Sequence, residues 1–154
     1  MKDRFKFRCG RTISHYDDDG NDIETLLLVN NISIFDDGDV GFDRESLKES
    51  VKRENLSEEE ERTLWNSLDE YEVFEYWYQM PADFIEQCTG LKDKNGKLIY
   101  EGDILGYFDN KIAVVYDNEL PSFRLRGIDG SHYGLLSQEY VDSFGFKIIG
   151  NIHE

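Results

Sequence analysis

The 154-residue sequence predicts an α+β fold that is mainly β, with a mixed α/β portion over residues 1–82 followed by a small β-barrel over residues 83–154. Three observations carry this. The chain opens on a basic–apolar alternation with a period of two, a capped amphipathic helix follows Leu56, and from Asp83 onward short β-branched and aromatic runs are separated by Asn-Gly, Asp-Asn and Asp-Gly turns.

In order, Arg4-Phe5-Lys6-Phe7-Arg8-Cys9 alternates so that a strand would turn Phe5, Phe7 and Cys9 to a core and its basic side chains to solvent. Asp17-Asp18-Asp19-Gly20-Asn21-Asp22 is a turn, and Leu26-Leu27-Leu28-Val29 with Ile32, Ile34 and Phe35 makes one or two strands broken at Asn30-Asn31. After the Asp36-Asp37-Gly38-Asp39 turn, Asp43 stands where a helix N-cap belongs, before Arg44 to Lys48. The stronger helix spans about residues 57–71. Ser57-Glu58-Glu59-Glu60 has the spacing of a capping box, its acids oppose the helix dipole, and Leu64, Trp65, Leu68 and Tyr71 share one face at spacings of three and four. Val73 to Tyr78 has the composition of a strand, with helix continuation the alternative, and Pro81 ends either.

Beyond Asp83 the predicted strands are Phe84–Cys88, Leu98–Tyr100, Asp103–Phe108, Ile112–Tyr116, Phe123–Ile128 and Phe146–Ile152. Lys92 to Lys97 ends in Asn95-Gly96, the pair suited to a primed two-residue hairpin turn. There is no internal repeat and no low-complexity linker.

The run Gln87-Cys88-Thr89-Gly90 through Asn95-Gly96 to Gly102-Asp103-Ile104, with Gly145 to Ile152 and its Gly150-Asn151, resembles the YopX family of phage and prophage proteins. The resemblance covers residues 85–153, and more faintly Phe5 to Arg8; Cys9-Gly10-Arg11 stands where Ala-Trp-Asp is expected, and the sequence ends at Glu154 without an Asn-Pro-Glu-Leu tail. Residues 12–82 offer no pattern to align. The resemblance implies an SH3-like barrel preceded by a mixed α/β portion, and the cytoplasm of a bacterial host. It makes Thr89, Gly90, Asn95, Gly96, Gly102, Asp103, Gly150 and Asn151 signature positions with structural roles, and it implies no reaction.

Composition narrows function further. With 39% hydrophobic and 14% aromatic residues the chain is too rich in core-forming side chains for a disordered protein. No apolar run is long enough to cross a membrane or to serve as a signal peptide, so a soluble intracellular protein is expected. Cys9 and Cys88 read as reduced thiols in strands. A net charge of −16, with most of the excess in residues 1–79, disfavours direct nucleic-acid binding, whose affinity comes from lysines and arginines displacing counterions.

No candidate catalytic, cofactor or metal site survives its spacing test. With Gly20 as the sixth residue of an EF-hand loop, His15 and Leu26 fall at the first and twelfth positions; with Gly96, Leu91 and Gly102 do. Asp17, Asp18, Asp19 and Asp22 remain a loose carboxylate cluster, read as a solvated turn. His15, His132 and His153 lack metal-ligand spacing, and Asp129-Ser131-His132 lacks the spacing of a nucleophile elbow. Phe74, Tyr76, Trp77 and Tyr78 form an aromatic strip that is either core or an interaction surface for a protein partner or a second copy of the chain. The expectation is therefore a non-enzymatic protein-interaction or self-assembling protein without cofactors. The alternative is an acidic nucleic-acid mimic, with Glu58 to Glu61 and the aspartate turns imitating phosphates.

Overall fold

The computed structural model describes residues 6–154, so the expected contribution of Arg4 and Phe5 to the first strand lies outside the described residues. The fold is mostly β, with 13 strands and three helices among the described residues, and it divides into two units, Lys6–Ile85 and Glu86–Glu154.

In the first unit, β1 (Phe7–Tyr16) and β2 (Asp22–Asn30) form an antiparallel hairpin registered from Arg8 opposite Asn30 to Tyr16 opposite Asp22. The aspartate turn between them closes on itself: Asp17 Oδ1 accepts the amides of Asp19 and Asn21, and Gly20 takes φ +82°. β1 is longer than the alternating segment and is covered on both faces. Cys9, Ile13 and His15 point toward α2 (Glu58–Asp69), while the Phe84 ring lies over Gly10 on the other side. Arg8 shares that second face and is buried, against the expectation that it meets solvent.

A second sheet has the order β3 (Ser33–Ile34), β4 (Asp39–Asp43), β6 (Trp77–Pro81), β5 (Glu72–Phe74). Between β4 and β5 in sequence run α1 (Arg44–Arg53) and α2. The Asp43 carboxylate accepts the Ser46 amide at the start of α1. At the start of α2 the capping box is complete, with the Glu60 amide on Ser57 Oγ and the Ser57 amide on Glu60 Oε2, both 3.1 Å. Leu64 and Leu68 of α2 are wholly buried beside Leu27, Phe42 and Tyr78, with Trp65 and Tyr71 packed at the margin. His15 is held by two hydroxyls: Nε2 lies 2.7 Å from Thr25 Oγ1 and Nδ1 lies 3.1 Å from Thr63 Oγ1.

The segment from Val73 to Tyr78 is not one strand. It folds into the β5–β6 hairpin, its reversal made by Tyr76 at φ +62°, with the Tyr76 amide on Glu72 Oε1 at 2.8 Å.

In the second unit, β7 (Phe84–Lys92) pairs with β8 (Leu98–Tyr100). The connecting turn is not the expected primed type, which requires positive φ at both Asn95 and Gly96. Only Gly96 is left-handed, at φ +80°. The Gly96 amide bonds to the Asp93 carbonyl at 3.0 Å and the Asp93 amide to the Lys97 carbonyl at 2.8 Å, a type I turn followed by a left-handed glycine.

A five-stranded antiparallel sheet follows in the order β12 (His132–Leu135), β11 (Ser122–Gly127), β10 (Asn110–Asp117), β9 (Asp103–Tyr107), β13 (Lys147–Asn151). Its buried side chains include Leu105, Ile112, Val114 and Leu125, joined by Ile99 of β8 and by Phe146 just before β13. Two elements lie outside the predicted strands: β12, and α3 (Gln138–Phe144), which precedes β13. α3 is short but fully signalled at its ends, with the Tyr140 amide on Ser137 Oγ and Gly145 at φ +63°.

Leu68→Ala empties a fully buried site and is expected to lower unfolding free energy by ~2 to 5 kcal/mol in a denaturant titration; a loss under ~0.5 kcal/mol would place that face in solvent. Burial pushes the Cys9 thiol up from 9.0 to about 12. The unfolded thiol therefore ionises first, so stability is fully present below pH 9 and falls as pH rises toward about 12. Cys9→Ala removes this dependence, and identical pH slopes for the two proteins above pH 9 would contradict it.

Candidate functional site

The signature positions gather in two places within the second unit. Around the β7–β8 hairpin, Thr89 Oγ1 donates to the Ile99 carbonyl at 2.8 Å and accepts the Leu91 amide at 3.1 Å. Gly90, at φ +81°, sits in the irregular stretch between Cys88 and Lys92, and Asn95 and Gly96 make the turn. Asp93, in the same segment, is buried: Oδ1 accepts the amides of Asn95 and Lys97, both 2.9 Å, and Oδ2 accepts the Ile148 amide of β13 at 3.0 Å.

Gly102 and Asn151 meet at a residue that sequence reasoning did not single out, with Asp103 beside them opposite Asn151. Glu86 is only 3% exposed, and both its oxygens receive Asn151 Nδ2, at 3.1 and 3.3 Å, while His153 Nε2 stands 3.5 Å away. Gly102 takes φ +86°, and a Cβ there would overlap the Glu86 carboxylate. Its carbonyl accepts the Ile152 amide at 2.9 Å and its amide donates to the Val114 carbonyl at 2.8 Å. Asp103 Oδ2 accepts the Tyr100 amide at 2.8 Å, closing the turn before β9. Gly150 sits where the β13–β9 register slips between Ile148 and Gly150, bringing Asn151 opposite Asp103. The sequence held one sign of Glu86: in Phe84-Ile85-Glu86-Gln87-Cys88 it shares a strand face with Phe84 and the buried Cys88, an odd place for a charge unless it is bonded.

The aromatic strip lies in the first unit, and the structure divides it. Tyr78 belongs to the core: its ring stacks on Phe42 with centroids 6.3 Å apart, its hydroxyl accepts from Arg44, and burial raises its pKa. Phe74 and Tyr76 are 67% and 60% exposed. Trp77, half-buried, stacks on Phe74 at 6.5 Å, and both Trp77 and Phe35 border the space over Gly41 that a side chain there would fill. Phe35, Phe74 and Trp77 thus make an apolar surface on the face of this sheet turned away from Val40 and Met80, and Val73, Glu70 and Glu75 are exposed in the same segment.

The remaining candidates are held locally. Asp17 is bonded within its own turn, which keeps its pKa below the usual carboxylate value, and Asp18 accepts the Ser57 hydroxyl at 2.6 Å. Ser131 gives its hydroxyl to Asp129, and His132 is exposed at the start of β12.

Gly96 and Gly102 have nearly the same φ, +80° and +86°, but only Gly102 faces a carboxylate. An alanine at either is expected to cost ~1 to 2 kcal/mol for the left-handed backbone, and Gly102→Ala a further ~1 to 3 kcal/mol for displacing Glu86. Equal losses in paired thermal melts would show that Glu86 does not need the glycine.

No curated protein matches the sequence. The YopX protein family matches residues 29–154. That span takes in every signature position and extends back through α1, α2 and the aromatic hairpin, where the sequence alone offered no correspondence. The chain belongs to the YopX family.

Proposed function

We propose that this chain is a non-enzymatic protein-binding protein of phage or prophage origin, working in the bacterial cytoplasm, whose contact surface is the tip of the β5–β6 hairpin. In this reading residues 83–154 form an SH3-like barrel, preceded by the α/β portion of residues 1–82. The antiparallel meander from β9 to β12, the helical turn α3 and the return of β13 to β9 support the barrel assignment.

The observation that carries the binding reading is Tyr76. A bulky residue at positive φ is disfavoured by about 1 to 2 kcal/mol, and a ring that is 60% exposed recovers little of this through packing. Beside Phe74 and Trp77 it presents rigid aromatic area of the kind that dominates interface energetics. The mimic reading has less support. Glu59 is paired with Arg62, the Glu60 carboxylate is occupied by the capping box, and Glu61 accepts the Trp65 indole N–H at 3.4 Å, so three of the four carboxylates of that run have local partners.

The double change Phe74→Ser and Tyr76→Asn should abolish capture of a partner from host-cell lysate while leaving the melting midpoint unchanged or raised, because asparagine accepts the left-handed backbone. Capture equal to wild type would remove the hairpin as the surface. Inhibition of a host nuclease, lost on changing Glu58 to Glu61 into glutamines, would move the function to mimicry.

A further inference from the structure

A second exposed aromatic site lies on the other unit, beside a groove whose charged lining residues are lysines. At the tip of the β9–β10 hairpin Phe108 is 88% exposed and held at φ +50°. Asn31 and Asn55 are the other non-glycine residues with positive φ outside the two hairpin tips, and asparagine takes that conformation readily; Tyr76 and Phe108 are the two described aromatics forced into it. Tyr107 meets Phe108 edge to face at 4.6 Å and Phe144 at 5.3 Å. Together with Ile149, Lys94 and Lys147 they line a groove of about 470 Å³ that has no acidic residue in its wall. Two lysines rimming an aromatic floor are unusual in a chain with 33 acidic and 17 basic residues. The wall selects an occupant that is aromatic and negatively charged.

The chain itself carries such a segment. Asp69 to Trp77 contains four acidic residues and no basic one, and it presents exposed Val73, Phe74 and Tyr76 at a hairpin tip. We propose that the Lys94–Phe108–Lys147 groove of one copy receives the β5–β6 hairpin of a second copy. This rests on the reading of that hairpin as a binding surface. The two faces differ, so the contact is head-to-tail and each copy keeps one groove and one hairpin open, which gives assemblies that grow with concentration. It also gives both strained tips one purpose, since each is covered in the assembly and neither is covered in the single chain.

Sedimentation of the full chain tests this. Wild type should rise above its 18.0 kDa monomer mass as concentration increases. Phe108→Asn suits the left-handed backbone, so it should melt no lower than wild type and stay monomeric. The pair Lys94→Glu with Lys147→Glu should stay monomeric, as should the pair Glu70→Lys with Glu75→Lys. Mixing the two variant proteins should restore at least a one-to-one complex, because the unaltered lysine groove of one meets the unaltered acidic hairpin of the other. Wild type that stays monomeric at every concentration, variants that assemble like wild type, or a mixture that remains monomeric would each overturn the proposal. Monomeric wild type whose lysate capture still depends on Phe74 and Tyr76 would sink the self-association and leave the binding function standing.

Discussion

The second unit depends on one buried carboxylate. Asp93 satisfies two amides of its own turn with one oxygen and reaches 55 residues along the chain to the Ile148 amide with the other. The neighbouring Lys94 amide bonds to the Phe146 carbonyl at 2.9 Å, so the hairpin and the last strand are joined by two adjacent contacts. A buried charge is tolerable only when such donors replace water, which makes the arrangement all or none: a turn that opens strands the carboxylate, and a last strand that leaves strands it too. At the far end of β13 a second carboxylate, Glu86, takes the Asn151 carboxamide while Gly102 binds the Ile152 amide. β13 is thus pinned at both ends by polar groups, with Phe146 and Ile148 packed among them.

This arrangement separates two kinds of residue. Gly90, Gly96 and Gly102 supply left-handed backbone, and Thr89, Asp103 and Asn151 supply hydrogen bonds inside the unit. Tyr76 and Phe108 have the opposite character, for they sit in costly backbone conformations with their rings in solvent. Strain in a residue whose ring stays mostly in solvent is what a surface built for another molecule would display.

What was legible in the sequence was local. The Ser57 capping box, the Asp43 cap and the Leu64–Leu68 face are each set within one or two helical turns, and they appear where their spacing puts them. The strands after Asp83 that turn chemistry marked lie close to their expected places, while β12 was missed and Val73 to Tyr78 folds as a hairpin. Glu86 was hidden because its partners, Asn151 and Gly102, arrive through tertiary pairing; only its position on an apolar strand face hinted at burial. Asn95-Gly96 misled because Asp93 supplies acceptors that favour a type I turn over the primed one. α3 is too short for periodicity to register, and the aromatic run concealed a reversal because tyrosine is a poor signal for positive φ. The groove at Phe108 had no sequence sign, since Lys94, Tyr107, Phe144 and Lys147 converge only through the fold.

Amide hydrogen exchange on the Asp93→Asn protein tests the account most directly. A carboxamide presents an N–H group to one set of the amides that the carboxylate accepts, so protection should fall together at Asn95, Lys97 and Ile148 and spread along β13. Loss confined to Asn95 and Lys97, with β13 protected as in wild type, would show that Asp93 serves only its own turn and that the last strand is held by other means.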